Sequence, residues 1–219
     1  MNTQRAIEAA VGKLTQTPGS TRESGICTPM PGKLKLDFKT FGDPELVRLL
    51  DASQKWLEGL SRGIAPHWCT LLGTSGTGKT RLAKRCKKKI RQLGLDCYPH
   101  KITRITQQKS MRWFPWPKFA RKLRGGEFTL VDAAVEADIL FIDDLGAEYK
   151  TDYIPGALTE ICDQRLGKWT FITSNLGLSH IADFVDARVA SRMMRGENTV
   201  AETSALDFSL RCYSDDVLE

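Results

Sequence analysis

One stretch restricts this chain more than any other: Gly73-Thr74-Ser75-Gly76-Thr77-Gly78-Lys79-Thr80. It matches the pattern Gly, four free residues, Gly, Lys, Thr, which builds a phosphate-cradling P-loop when it joins a strand to a helix. Both flanks suit that demand. Trp68-Cys69-Thr70-Leu71-Leu72 is a short apolar run of buried-strand character, and Arg81-Leu82-Ala83-Lys84 begins a helical pattern. Glycines at 73, 76 and 78 let successive N–H groups converge on phosphate oxygens, and the helix that follows aims its positive dipole end at them. Lys79 is placed to reach the outer phosphates. Thr80 offers a hydroxyl for Mg²⁺, a small hard cation that prefers oxygen ligands. The expectation is a nucleotide site, with ATP and Mg²⁺ held by residues 73 to 80.

The 219 residues suffice for one ordinary domain with a real core. A net charge of +6 suggests only a mild preference for acidic partners. Six cysteines contain no Cys-x-x-Cys pair and the three histidines are scattered, so neither a zinc site nor a disulfide framework is expected. No apolar run approaches bilayer length and the N-terminus lacks a signal core, so a soluble, cytoplasmic protein is expected, with no membrane partner.

Two parts are expected along the chain. Residues 1–35 read as a flexible tail: Ile7, Ala10, Val11 and Leu14 could form a short docking helix, and 16–32 is a Pro/Gly-rich linker. Residues 36–219 read as the ordered domain. Asp43-Pro44 is a good helix cap and first residue, opening a helix from about Glu45 to Leu60. After the P-loop, a helix runs from Lys79 to about Gln92. Leu95 to Tyr98 reads as a second strand, and the segment around Trp113-Phe114-Pro115-Trp116-Pro117 as irregular. Helices are expected over Thr129 to Ala137 and 152 to 166, and near 186 to 196, with strands over 168 to 173 and 198 to 203.

Ile139-Leu140-Phe141-Ile142-Asp143-Asp144 places two carboxylates at the end of a buried strand, where α/β sheets collect ligands. In a P-loop protein this is the Walker B position. Asp143 would hold Mg²⁺ and Asp144 would orient or deprotonate the attacking water. Asn175, at the next strand's end, could touch the terminal phosphate, although a turn or cap is the commoner use of Asn. Arg188 and Arg192 are four apart and share one helix face.

These parts in this order, with Asp-Asp-Leu-Gly-Ala-Glu over 143–148, Thr-Ser-Asn over 173–175, Ala-Ser-Arg-Met over 190–193 and Asp-x-x-x-Arg over 207–211, resemble the AAA+ ATPases of the DnaC/DnaI helicase loaders and the IstB transposition helpers. The resemblance covers about Leu36 to Arg211. It implies an α/β P-loop fold with a five-stranded parallel sheet between helices, and ATP hydrolysis. It further implies a homo-oligomer, with a replicative helicase or a transposase, and DNA, as partners. It assigns Asn175 as sensor 1, Arg192 as the arginine finger acting in trans, with Arg188 as its rival, and Arg211 as sensor 2. The chain departs from the pattern in its brief N-terminal region, and in ending eight residues beyond Arg211, which implies a minimal or absent C-terminal lid. Asp144 is one methylene shorter than the Glu common in AAA+ enzymes, which suits a slow switch.

From Lys79 to Arg124 sixteen Lys or Arg face one acid, Asp96, a bias able to neutralise phosphates. Lys84, Lys87, Lys88 and Arg91 fit an ordinary outward helix face. Within 109–124, Lys109, Arg112, Lys118, Arg121, Lys122 and Arg124 could grip a backbone while Trp113, Phe114, Trp116 and Phe119 stack on unpaired bases, so single-stranded DNA is the expected ligand there. The leading reading is a helicase-loader-like ATPase. The alternatives are an IstB-like helper delivering target DNA to a transposase, a small-molecule P-loop kinase, and a module that holds ATP without hydrolysing it.

Overall fold

A computed structural model describes residues 34–95, 97–99, 106–147 and 153–208. The expectations for the N-terminal helix and linker, for Glu148 and for Arg211 lie outside the described residues.

The chain runs α1 (Pro44–Arg62), β1 (Trp68–Gly73), α2 (Lys79–Gln92), β2 (Cys97–Pro99), β3 (Thr106–Gln108), β4 (Met111–Pro115), α3 (Trp116–Arg124), α4 (Thr129–Glu136), β5 (Ile139–Leu145), α5 (Tyr153–Gln164), β6 (Trp169–Ser174), α6 (Leu178–Ile181), a π-helical turn (Ala182–Asp186), α7 (Ala187–Met193) and β7 (Thr199–Thr203). Five strands form one sheet in the order β4-β5-β6-β1-β7. Every pairing in it is parallel, as expected.

Alternation along the central strands explains the layers. Ile139 and Phe141 of β5 pack on one face with Leu71, Phe171, Trp56 and Leu82, beneath α1 and α2. Leu140 and Ile142 pack on the other with Ile172, Trp116, Leu158 and Val189, beneath α3, α5 and α7. A strand buried on both faces has to be apolar at consecutive positions, which is why these strands read as unbroken hydrophobic runs. The cap of α1 is as expected: the Asp43 carboxylate accepts from the backbone N–H groups of Glu45 and Leu46, with proline in the first turn.

One expectation shifts and one fails. The strand expected over 95–98 is present as Cys97–Pro99, but it lies outside the main sheet, paired antiparallel with β3 in a separate hairpin. The sheet's outer strand is instead β4, in the segment expected to be irregular, with Met111 opposite Ile139 and Trp113 opposite Phe141. Pro115 misled because proline breaks central strands, but it ends an edge strand, where no ladder donor is needed, and Pro117 sits in the first turn of α3.

Arg165 is a buried residue that the sequence reading passed over. It is 0% exposed and donates to the carbonyls of Ala134, Ala137 and Trp169 at 2.6 to 2.8 Å, more weakly to that of Val135, and to Thr170 Oγ1 at 3.0 Å. Its guanidinium takes up the C-terminal carbonyls of α4 and ties them to the start of β6, the two segments that flank β5.

Candidate functional site

The loop between β1 and α2 closes as its glycines require. Gly73 has φ +111, and a Cβ there would lie 1.8 Å from the carbonyl oxygen of Thr203, so the close approach of β7 admits only glycine. Gly76 (φ +71) and Gly78 (φ +87) curl the loop, and Gly78 leads into α2. Thr74 Oγ1 donates to Ala205 O at 2.7 Å and Thr77 Oγ1 to Thr74 O at 3.0 Å, while Ser75 is exposed. Lys79 lies across the loop, its Nζ donating to Gly73 O at 2.8 Å and Thr74 O at 2.6 Å, and more weakly to Thr77 Oγ1. Burial pulls the Lys79 ammonium down to about 8, against an opposing pull from Asp144 and Asp143.

Beside the loop, Asp143 Oδ1 accepts from Thr80 Oγ1 at 2.8 Å and from Thr173 Oγ1 at 2.7 Å. Three chain segments thus meet at one carboxylate oxygen. Thr173 also accepts from the Asp144 backbone N–H at 3.1 Å. In a regular strand, consecutive side chains point to opposite faces, so Asp143 and Asp144 could not both serve one site. The structure resolves this with a bulge: Ile142 pairs with Ile172 but Leu145 pairs with Ser174, so β5 carries one extra residue. Asp144 takes it up at φ +59, a left-handed conformation that aspartate tolerates better than most residues. Its carboxyl therefore lines the same cavity, of about 520 Å³, as Ser75, Lys79, Thr80, Lys84 and Asn175. Burial and the neighbouring Asp143 charge push the Asp144 carboxyl above the usual carboxylate range, with Lys79 and Lys84 acting the other way.

A second cavity, of about 510 Å³, opens on the other side of Gly76 and Gly78. Phe38, Phe41, Leu46, Leu206 and Phe208 give it apolar walls, and the rings of Phe41 and Phe208 lie 5.3 Å apart. It suits a planar ring system whose polar tail lies along the loop. Sequence reasoning missed this wall, which joins residues about 160 positions apart. Glu45 secures it by accepting from Thr203 Oγ1, Ser204 N and Ser204 Oγ, tying the segment after β7 to α1.

The remaining expected residues divide. Asn175 is exposed at the rim of the first cavity. Arg192 does not line that cavity: its Nε donates to Asp163 of α5, and Arg188 pairs with Asp186, the cap of α7. Among the expected DNA contacts, Arg112, Lys118, Arg121 and Arg124 are exposed, Lys109 is half-buried and Lys122 pairs with Glu127. Their aromatic partners fare differently. Trp116 and Phe119 are 1% and 2% exposed and stack on each other in the core, so neither offers a face to a base. Phe114 is half-buried against Phe119. These rings were expected outside because the segment read as irregular, whereas α3 turns its aromatic stripe inward. Trp113 is half-buried, stacked on Phe141 with the Lys87 ammonium 5.2 Å from its ring centre. Among the described residues, no helix is long and apolar enough to cross a membrane.

Solved structures share this arrangement of parallel strands and P-loop. A DnaI crystal structure matches with a TM-score of 0.58 and 18% identity over 80% of this chain and 92% of that one. The chain shares the fold of that structure. A DnaC helicase loader matches with a TM-score of 0.54 and 19% identity over 71% of this chain and 90% of that one. AMPPCP-bound DnaA from Aquifex aeolicus matches at 0.57 and 18%, over 82% of this chain and 53% of that one. No protein-family model matches the chain, and no curated protein matches it in sequence. At such identities the likeness speaks for the fold, which is the fold that the sequence resemblance implied.

Proposed function

We propose that this chain is an ATP-binding, slowly hydrolysing AAA+ switch of DNA replication, acting with single-stranded DNA and a replicative helicase. The observation that carries the reading is the junction of Thr80, Asp143 and Thr173 beside Lys79, with the β5 bulge turning Asp144 into the same cavity. The apolar cavity behind Gly78 suits an adenine ring, and the loop N–H groups and Lys79 suit the phosphates. The oxygen donors Thr80 Oγ1 and Asp143 Oδ1, 2.8 Å apart at the loop's end, fit a hard divalent cation, and these two residues would hold Mg²⁺. Bound there, Mg²⁺ supplies charge neutralisation on the phosphate oxygens.

In this reading Lys79 exchanges its carbonyl contacts for phosphate oxygens, and Asp144 accepts a hydrogen bond from the attacking water and orients it. Its side chain, one methylene shorter than that of glutamate, holds the water less closely, hence slow turnover. Asn175 orients the terminal phosphate. Arg192 acts on a neighbouring subunit's site, a role supported by its place on α7 outside this chain's own phosphate cavity. The replication setting is supported by fold likeness to a DnaC helicase loader, and DNA contact by the likeness to DnaA bound to AMPPCP and single-stranded DNA.

The test is ATP hydrolysis with and without single-stranded DNA, for wild type, Lys79→Ala, Arg192→Ala and an equal mixture of the two variants. Expected is DNA-stimulated turnover, lost in each variant and partly restored in the mixture, because a Lys79→Ala subunit can lend its Arg192 to an intact site. Turnover that ignores both DNA and Arg192 would refute the shared-site reading.

A further inference from the structure

A third cavity, of about 440 Å³, lies in the seam between α2 and the edge strand β4, lined by Lys84, Lys87, Lys88, Arg91, Gln92 and Trp113. Residues 84, 87, 88 and 91 recur at helical spacing, so one stripe of α2 carries four cations across two turns. No carboxylate lines the cavity, and none of the four cations is held in an ion pair with a described residue. Neighbouring cations differ: Arg85 pairs with Asp37 and Lys122 with Glu127. The crowding has a cost, since burial and the nearby Arg91 both disfavour the charged form of Lys87. A stripe with no ion pair to a described residue, set around an indole, lacks the pairing that would make it a purely structural face.

We infer that this seam holds single-stranded nucleic acid, with Lys87, Lys88 and Arg91 on its phosphates and Trp113 stacking on an unpaired base. The inference deepens the DNA-binding reading above and rests on it. Single strands fit better than duplex because the indole, stacked on Phe141, meets a ligand through the ring face that Lys87 overlies, and only an unpaired base can stack there once Lys87 turns to a phosphate. An acidic protein surface would use the cations but have no need of that ring. The placement also moves the contact away from α3, whose Trp116 and Phe119 are buried in the core. Lys84 gives the seam a link to ATP. It lines both this cavity and the phosphate cavity, where its charge acts on Asp144. A strand that draws Lys84 toward its phosphates therefore changes the lining of the phosphate cavity, so occupancy of the seam alters hydrolysis.

The experiment measures binding of a fluorescein-labelled oligo-dT of about 20 nucleotides by anisotropy across a salt series. Three proteins are compared: wild type, the triple variant Lys87→Glu/Lys88→Glu/Arg91→Glu on α2, and the triple variant Lys118→Glu/Arg121→Glu/Arg124→Glu on α3. Both triples change net charge equally, so a general charge effect treats them alike. The seam predicts that the α2 triple loses at least tenfold in affinity and that its salt slope falls by about 2, from three phosphate contacts at roughly 0.7 each on single strands. The α3 triple should stay within about threefold of wild type. Trp113→Ala should weaken binding roughly tenfold with an unchanged salt slope, and Trp113→Phe should recover most of it. Undiminished ATP binding and basal hydrolysis by the α2 triple, with only the DNA-stimulated part lost, establishes that it is folded. Wild-type binding that survives in the α2 triple, or falls equally in both triples, overturns the seam and leaves the DNA-binding reading standing. Wild type that ignores oligo-dT but binds polyglutamate overturns both and assigns the stripe to an acidic protein.

Discussion

Replacing Lys79 with methionine should make the apo protein more stable while abolishing nucleotide binding. Lys79 is 4% exposed, and burial lowers its ammonium from 10.5 to about 8 on folding. A depression of that size means that keeping the charge buried below pH 8 costs about 3 kcal/mol. Methionine removes the cost and nearly matches the volume, but forfeits hydrogen bonds to Gly73 O and Thr74 O, worth about 1 kcal/mol each, although Thr74 O keeps its bond from Thr77 Oγ1. The net expectation at pH 7 is a gain of about 1 to 2 kcal/mol. The sign with pH is fixed. Between about 8 and 10.5 the unfolded wild type binds more protons than the folded form, so wild-type stability rises with pH relative to the variant. By pH 9.5 the difference should have moved by about 2 kcal/mol, erasing or reversing the variant's advantage. Urea unfolding followed by tryptophan fluorescence, with chelator and no nucleotide, measures it. A variant less stable than wild type at pH 7, by an amount that does not change up to pH 9.5, would show that Lys79 is not a strained buried charge.

Three further outcomes are expected. Asp144→Asn should fold with stability within about 0.5 kcal/mol of wild type and bind ATP without hydrolysing it, whereas Asp144→Ala should also lose about 1 kcal/mol, because alanine tolerates φ +59 less well; equal stability of the two in urea would count against the bulge. Thr173→Val keeps the volume but removes the donor to Asp143 and the acceptor for Asp144 N–H, so about 2 kcal/mol of stability and most of the Mg²⁺ dependence of ATP affinity should go; calorimetric titration with and without Mg²⁺ that matches wild type would contradict the junction's role. Arg165→Met should lower stability by about 3 to 5 kcal/mol by stranding the carbonyls of Ala134, Ala137 and Trp169, and Arg165→Lys should rescue little, since an ammonium cannot span them; a thermal midpoint close to wild type would refute that accounting.

The loop from Gly73 to Thr80, the strand before it and the helix after it were legible in sequence because each depends on residues within a few positions. Glycine supplies the positive φ values, apolar runs mark the strands, and Asp43-Pro44 opens α1 by contacts to its own first turn. The all-parallel sheet followed from the resemblance and from strands alternating with helices. What sequence could not decide was everything set by neighbours distant along the chain. Met111–Pro115 became a strand because Phe141 and Ile142 offered it an open sheet edge, which overrode its prolines. Asp144 joined Asp143 at one site because β6 is one residue shorter than β5 across the bulge. Trp116 went inward and Trp113 stayed half-open according to which face of the sheet each met. The cavity walled by Phe38 and Phe208, and the five acceptors around Arg165, exist only once distant segments are brought together. Local chemistry wrote the phosphate loop into the sequence; long-range packing decided which carboxylates, rings and cations came to stand beside it.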